Sequence, residues 1–486
     1  MWAMVRAVLV TVPAFAVPGV TAAVLAGWAL DRPAFWADEL ATRGAIALDW
    51  DQLWQLSESV DAVLTPYYVV LKFLTGGAGD AVALRLPSLI AVVATTLVVV
   101  ALGRRAGGET TGLLSGLLFA VLPVSSRYAQ EARPYAFVML FAALSLLALL
   151  LLLDRPTLWR AVGYAAAVAV TGLFHPLSAL LMLAGHAVIG WRRWKLWTIA
   201  AAVGSLTAIV ISVRAAGQAA QVSWIDTVDT DTVRRLPEQL FVSGIAGGLV
   251  LGLAVAGLRR DRVTMALAGA GLLPPALLLI AGTVAPVWVA RYALVAVPAL
   301  VVLAVRTAAR TGRIKAALVV ALTAFLAYPA QLDIRQPDGH WQDSSRIADV
   351  ILPYQLDGDV VVFPDNHPSI GWAARDIYET YVPMPRPPDV LAIAPQRADG
   401  HFLARECDDV AACLGAPPRI WIVRADTAID PLQDMSPAKQ VLIHTGYRVK
   451  YRWNYRQLSV ILMEQRPPKT PARPTVKAPV KPAVRR

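Results

Sequence analysis

The residues best suited to chemistry are two adjacent carboxylates in Trp36-Ala37-Asp38-Glu39. The motif follows a first apolar segment, 7 to 30, and opens a polar loop of about fifty residues before the next one. Carboxylates are costly to desolvate at a bilayer surface, and a tight turn aiming them back at the membrane suits a base acting on a lipid-borne substrate. A carboxylate beside a like charge holds its proton more tightly, which improves it as a base near neutrality. The pair also fits a solvated loop, or the cap of a helix starting near Leu40. The surroundings weigh between these readings.

The elements that must hold the motif are membrane helices. Of 486 residues, 57% are hydrophobic and 16% charged, with a mean hydropathy of +0.53, too apolar for an ordinary soluble protein. The expected fold class is mainly α: a polytopic membrane protein with about eleven transmembrane helices and a small extracytoplasmic α/β C-terminal domain. The apolar runs lie near 7 to 30, 84 to 102, 110 to 126, 134 to 153, 159 to 174, 177 to 190, 196 to 213, 238 to 258, 264 to 283, 289 to 306 and 314 to 330. The first is too long for a signal peptide and has no convincing cleavage site, so it is expected to be a retained anchor.

With a cytoplasmic N-terminus, every second loop is basic: Arg104 and Arg105, Arg155 and Arg160, Arg192 to Lys195, Arg259 to Arg262, and Arg306 to Lys315. The positive-inside rule requires this. The net charge of +11 therefore reports topology, and no nucleic-acid partner is expected. The other loops collect Asp38, Glu39, Glu131, Arg133, His175, the segment from Arg214 to Glu238, and Arg291. Within the first outer loop, residues 31–80, the stretches around Trp54 and Tyr67-Tyr68 are expected to form helices along the outer interface; a short span over 62 to 75 is the alternative.

Residues 1–330 thus form the membrane domain. Strand-like runs such as Val360-Val361-Val362 and Ile420-Trp421-Ile422-Val423 mark residues 331–465 as an outer α/β domain, and 466–486 reads as a disordered basic Pro-rich tail able to touch anionic lipid. Cys407 and Cys413 could pair if that domain is outside; with six scattered histidines they build no metal framework.

Several motifs resemble a known family in order and spacing. They are Trp36-Ala37-Asp38-Glu39, Thr65-Pro66-Tyr67-Tyr68, Ala83-Leu84-Arg85-Leu86-Pro87-Ser88, Leu102-Gly103-Arg104-Arg105 and Tyr128-Ala129-Gln130-Glu131-Ala132-Arg133-Pro134-Tyr135. Together they resemble the GT-C membrane glycosyltransferases, in the branch of protein O-mannosyltransferases and aminoarabinose transferases. The likeness is strong over 31 to 145, weaker through the later spans and absent from the C-terminal domain. It implies the GT-C fold and inverting transfer of a sugar from a polyprenyl-phosphate-linked donor to a glycan, lipoglycan or protein acceptor at the outer face of the cytoplasmic membrane, with membrane lipids around it. No cofactor and no metal are implied.

Carried onto this chain, the resemblance makes Asp38 the general base and Glu39 its neighbour that orients the acceptor or adjusts charge. The leaving group would be a lipid phosphate, which needs cations at the developing charge. Arg133, Arg291 and Arg85 are the candidates, with Glu131, Tyr135 and Tyr292 as further donor contacts, although snorkelling arginines at helix ends would look the same. His175, Tyr67 and Tyr68 would touch acceptor or donor. Many relatives carry His-Pro-Pro where this chain has Leu64-Thr65-Pro66, which weakens the acceptor-side comparison. The acidic stretch with Asp226, Asp229 and Asp231 reads as a solvated loop over the cavity. High Ala, Val and Arg usage suits a GC-rich genome, for which mannose is the expected sugar and arabinofuranose the alternative. Two other classes remain: a lipid-linked-sugar flippase, which predicts internal repeats that are not evident, and an inactive envelope scaffold, in which Asp38 would be dispensable.

Overall fold

The computed structural model describes residues 2–218, 224–365 and 372–467. All but the first two residues of the tail expected at 466–486 lie outside them, as do residues 219–223 of the outer segment. Chain order begins with α1 (Trp2–Gly27), then three short helices, α2 (Ala37–Ala47), α3 (Trp50–Ser59) and α4 (Thr65–Thr75). The helices that follow are α5 (Ala81–Gly107), α6 (Glu109–Val121), α7 (Pro123–Ala129), α8 (Tyr135–Asp154), α9 (Leu158–Phe174), α10 (Pro176–Gly190) and α11 (Trp194–Ala215). Beyond the outer segment come α12 (Thr230–Arg234), α13 (Leu236–Phe241), α14 (Gly244–Ala256), α15 (Arg262–Gly282), α16 (Val297–Ala309) and α17 (Arg313–Asp333).

Each apolar run forms helix, but fewer of the helices are full-length than expected. Among the described residues, six are long and apolar enough to cross a membrane, or seven if the bent pair α6 and α7 is one span. The count of eleven fails this criterion for local reasons. α14 has 13 residues, about 20 Å of helix against a hydrocarbon core of about 30 Å, and the left-handed Val242 (φ 61°) separates it from α13. Pro123 breaks α6 from α7 at an angle of 61°. α10 and α11 run together through Trp191–Arg193, and α9 has only 17 residues.

Charge sorts to the two ends of the bundle. At one end Asp154 pairs with Arg105 and Arg262, and Asp261 with Arg306 and Arg310, so four of the basic loops lie side by side. At the other end, Asp38, Arg133 and Arg291 converge. α3 and α4 are too short to span. α4 buries Tyr67, Tyr68 and Leu71 and leaves Phe73 outward, the amphipathic pattern of a surface-lying helix.

The remaining chain is an α/β unit of α18 (Arg346–Tyr354), β1 (Val360–Val362), α19 (Ala373–Tyr381), β2 (Ala392–Ala394), β3 (Arg405–Glu406), α20 (Val410–Leu414), β4 (Arg419–Arg424), α21 (Pro437–Gly446), β5 (Tyr447–Tyr455) and β6 (Leu458–Gln465). Its main sheet has strand order β1-β4-β6-β5; β1 and β4 are parallel, and β6 runs antiparallel to both neighbours. The sheet buries Trp421 and Ile422, which is why these runs read as strands without alternation. Cys407 and Cys413 are disulfide-bonded.

This unit sits on the first outer loop. Tyr381 Oη accepts from the Phe35 amide at 2.7 Å, Pro337 O from the Ala34 amide at 2.9 Å, and α19 packs on α2. Gly44 of α2 lies so close to the Arg397 side chain, itself paired with Asp376, that a Cβ there would fall 2.4 Å from the guanidinium carbon.

Candidate active site

Asp38 and Glu39 fall in the first turn of α2, where the helix dipole favours negative charge. The alternative of a helix-terminal position therefore describes their backbone. It does not describe their side chains, because neither supplies the cap. Trp36, the residue before the helix, makes no side-chain cap bond either. The Ala37 amide instead donates at 2.7 Å to Gln342 Oε1, and Gln342 Nε2 donates at 3.0 Å to Gln457 O in the β5–β6 turn. The C-terminal unit thus fixes the turn that carries Asp38.

Successive residues of a helix point about 100° apart, and the two carboxylates part accordingly. Glu39 turns into the protein. Its Oε1 accepts from Arg85 Nε at 2.8 Å and from the Ala132 amide at 2.9 Å, while Oε2 takes Arg85 Nη2 at 2.8 Å; both side chains are wholly buried. Arg85 also donates to the carbonyls of Leu30 and Pro33. Burial alone would raise the pKa of Glu39, but the Arg85 charge and hydrogen bonds hold it well below the ordinary value. His340 Nδ1 lies 3.5 Å from Glu39 Oε2, and burial, aided by the nearby Arg127, brings the His340 pKa down to about 3. Glu39 and Arg85, expected as an acceptor-orienting acid and a donor ligand, form a paired strut with each other, and neither lines the cavity. Glu131 is likewise diverted: it pairs with Arg127 at 3.0 Å, burial raises its pKa, and it does not line the cavity.

Asp38 turns the other way, onto a cavity of ≈ 1170 Å³. Its carboxylate is 20% exposed, and Oδ2 lies 3.6 Å from Arg133 Nη2 and 3.4 Å from Arg291 Nη2, with no hydrogen-bond partner of its own. Arg133 Nη1 is held by Asp38 O, Thr42 Oγ1 and Tyr68 Oη at 3.3 to 3.4 Å. Arg291 Nε donates to Tyr135 Oη at 3.0 Å, and its guanidinium lies 5.6 to 5.7 Å from the rings of Trp36, Tyr135 and Trp224. A cation among three aromatic faces keeps its charge while shedding water.

Tyr292 and His175 complete this wall, their rings 4.4 Å apart. His175 Nδ1 lies 3.2 Å from the Ser178 amide, at the start of α10, and 2.8 Å from Ser178 Oγ, which donates to Tyr292 O at 2.7 Å. Tyr68 reaches the site through its hydroxyl, which donates to Asp61 Oδ2; burial raises the Asp61 pKa. Tyr67 is displaced from it, packed edge-on against Phe137 and Phe174. Among the described residues no group of His, Cys, Asp or Glu has a metal-binding arrangement.

The strands and turns of the C-terminal unit fit a carbohydrate-contacting or acceptor-positioning module or a structural lid, but sequence reasoning named none of its residues for the site. Trp341, Gln342, Trp372, His401, Phe402 and Gln457 all line the cavity, together with the apolar Val60, Val63, Leu64 and Leu177. Nothing in their local sequence signals this, since they reach the site only through the docking of two distant segments.

Residues 62–215 match the family model described as dolichyl-phosphate-mannose-protein mannosyltransferase. No curated protein matches. Among solved structures, ArnT from Cupriavidus metallidurans in the apo state shares 14% identity with a TM-score of 0.57, covering 95% of this chain and 98% of that one. The same protein bound to undecaprenyl phosphate gives 13% identity and 0.55, over 92% and 97%. The likeness shows that this chain shares the fold of ArnT. With the family match it supports the superfamily assignment drawn from the motifs.

Proposed function

We propose that the chain is an integral-membrane inverting glycosyltransferase that moves a sugar from a polyprenyl-phosphate donor to an acceptor hydroxyl at the outer face of the cytoplasmic membrane. The observation that carries this is the Asp38 side chain on the cavity lining, with one carboxylate oxygen set between two guanidiniums and without a hydrogen-bond partner. Asp38 takes the proton of the acceptor hydroxyl, whose oxygen forms the new bond to the anomeric carbon. The bond from that carbon to the phosphate oxygen breaks with its electron pair, leaving polyprenyl phosphate and inverted configuration. Arg133 and Arg291 meet the charge that grows on the phosphate.

Both arginines serve Asp38 in the free chain, so donor phosphate has to compete for them. Binding of the donor then draws cations off Asp38 and readies it as a base. The undecaprenyl phosphate held by the ArnT structure supports a polyprenyl donor, and the family description supports mannose as the sugar. The Cys407–Cys413 disulfide suits an outer, oxidising location for the C-terminal unit. About eleven membrane passages remain the reading that keeps every basic loop on one side.

The test is transfer from polyprenyl-phosphate-mannose to a cell-envelope acceptor fraction by purified wild type and Asp38→Asn. Asparagine keeps the size but cannot accept the proton, so a loss of about a hundredfold or more is expected in the folded variant. Equal activity would remove Asp38 as the base. Inactive wild type with mannose but not with polyprenyl-phosphate-arabinose would change the sugar alone.

A further inference from the structure

Building on the glycosyltransferase reading, we propose that the cavity wall supplied by the C-terminal unit is the acceptor subsite, and that it takes an uncharged sugar chain on the ring faces of Trp341 and Trp372. Trp341 has φ 76°, in the left-handed region that bulky side chains rarely adopt and where glycine is the usual residue. Glycine occurs two positions earlier, at Gly339, yet this strained position carries the largest side chain of all. The indole is not used to fill the core, being 63% exposed on the cavity wall. The Arg456 guanidinium, 4.7 Å from its ring centre and paired with Asp338, holds the ring in place.

A second flat surface faces the same space. Trp372 stacks on Phe402 with ring centres 4.7 Å apart and planes at 29°, and both line the cavity beside His401. Sugar rings present an aliphatic C–H face that packs on the electron-rich face of an aromatic ring, with hydroxyls left at the rim for polar partners. Gln457 supplies such a partner; the Gln342 amide is already engaged at both ends.

The charge distribution selects the class. Arg133 and Arg291, the lysine or arginine residues on the described lining, both serve Asp38. The C-terminal unit contributes neither residue type to the lining; its cation nearest Trp341, Arg456, is paired with Asp338, and the internal segments outside the described residues, 219–223 and 366–371, contain none in sequence. A phosphorylated acceptor would need a cation of its own, usually a forked arginine. A neutral chain needs none.

The full chain is purified in detergent and probed by saturation-transfer NMR with a neutral mannan oligosaccharide, its phosphorylated counterpart and a Ser/Thr-rich peptide. Trp341→Gly relieves the backbone strain and so should unfold at a higher temperature than wild type, which excludes misfolding as the cause of any loss. It and Trp372→Ala are each expected to weaken the neutral oligosaccharide about tenfold. Stabilisation of both variants by undecaprenyl phosphate should equal that of wild type. Unchanged oligosaccharide affinity in both variants would overturn the proposal, as would tighter binding of the phosphorylated sugar or the peptide with loss in the same variants. Undecaprenyl phosphate that fails to stabilise the wild type would sink the donor reading, while oligosaccharide binding lost in both variants would still uphold the subsite.

Discussion

Glu39→Gln separates a catalytic role for Glu39 from the structural one its geometry indicates. The substitution removes the charge that answers Arg85 in a site where both side chains have zero exposure. Gln can still accept from the Ala132 amide, but its own NH2 then faces the guanidinium, whose remaining partners are the Leu30 and Pro33 carbonyls. Removing one member of a buried pair costs about 3–5 kcal/mol, because the other charge stays behind uncompensated. At about 2 cal/mol/K of unfolding entropy per residue, a chain of this size loses on the order of 1 °C per kcal/mol, so a fall of about 3–5 °C is expected. Helices that persist on unfolding lower that entropy and enlarge the shift. The assay is intrinsic-fluorescence melting in detergent, paired with turnover per folded molecule. The variant should melt early yet keep kcat within about threefold of wild type. An unshifted melt with kcat reduced as far as in Asp38→Asn would refute the strut and return Glu39 to the chemistry. The pH dependence gives a second check. The folded pKa of Glu39 lies below its unfolded value of 4.5, so the pair's stabilisation is present above about pH 4.5 and is lost as pH falls through the folded pKa. Glu39→Gln should flatten that acid limb.

Arg291→Met is expected to raise the donor KM and lower kcat together, by about tenfold to a hundredfold in kcat/KM, while Arg85→Met should act on melting temperature alone; steady-state kinetics with polyprenyl-phosphate-mannose would tell them apart. Gln342→Leu strands the buried Ala37 amide, at about 1–3 kcal/mol, and frees the turn under Asp38. Its kcat should fall with the donor KM unchanged, and Gln342→Glu, which keeps the acceptor but loses the bond to Gln457 O, should recover only part of it. Cys407→Ser with Cys413→Ser opens a short loop that does not line the cavity, and should cost about 2 kcal/mol of local stability with activity retained. A matching loss of turnover would place that loop in the site.

What was legible in the sequence is what local pattern can encode. Apolar runs and alternating basic loops gave the helical bundle and its two chemically different ends, and the expected positions of Asp38, Arg133, Arg291, Tyr292, Tyr135 and His175 all fall on one cavity. Adjacent carboxylates looked alike in the motif because a sequence does not show that neighbours on a helix diverge by about 100°. Hence Asp38 meets the cavity while Glu39 meets Arg85, 46 positions away, and only packing distinguishes them. The number of full-length helices differs from the number of apolar runs for a related reason. Composition registers apolar length but not where Val242 or Pro123 interrupts the backbone.

The least legible feature is also the one that ties the two halves of the chain into one site. α2 begins without a side-chain cap of its own, a deficit that looks like poor local design until Gln342 arrives from 305 positions away. A self-sufficient cap at Trp36 would have made the turn independent of the C-terminal unit. Borrowing it makes the geometry of Asp38 conditional on that unit being docked. The same short segment, His340-Trp341-Gln342, touches the Glu39–Arg85 strut, walls the cavity and caps the helix. On the proposed reading, an acceptor chain bound against Trp341 would press on the residue next to the cap that aims Asp38. Acceptor contact and base alignment would then be coupled through one peptide unit, which is why the Gln342 variants are expected to lose kcat and not donor affinity.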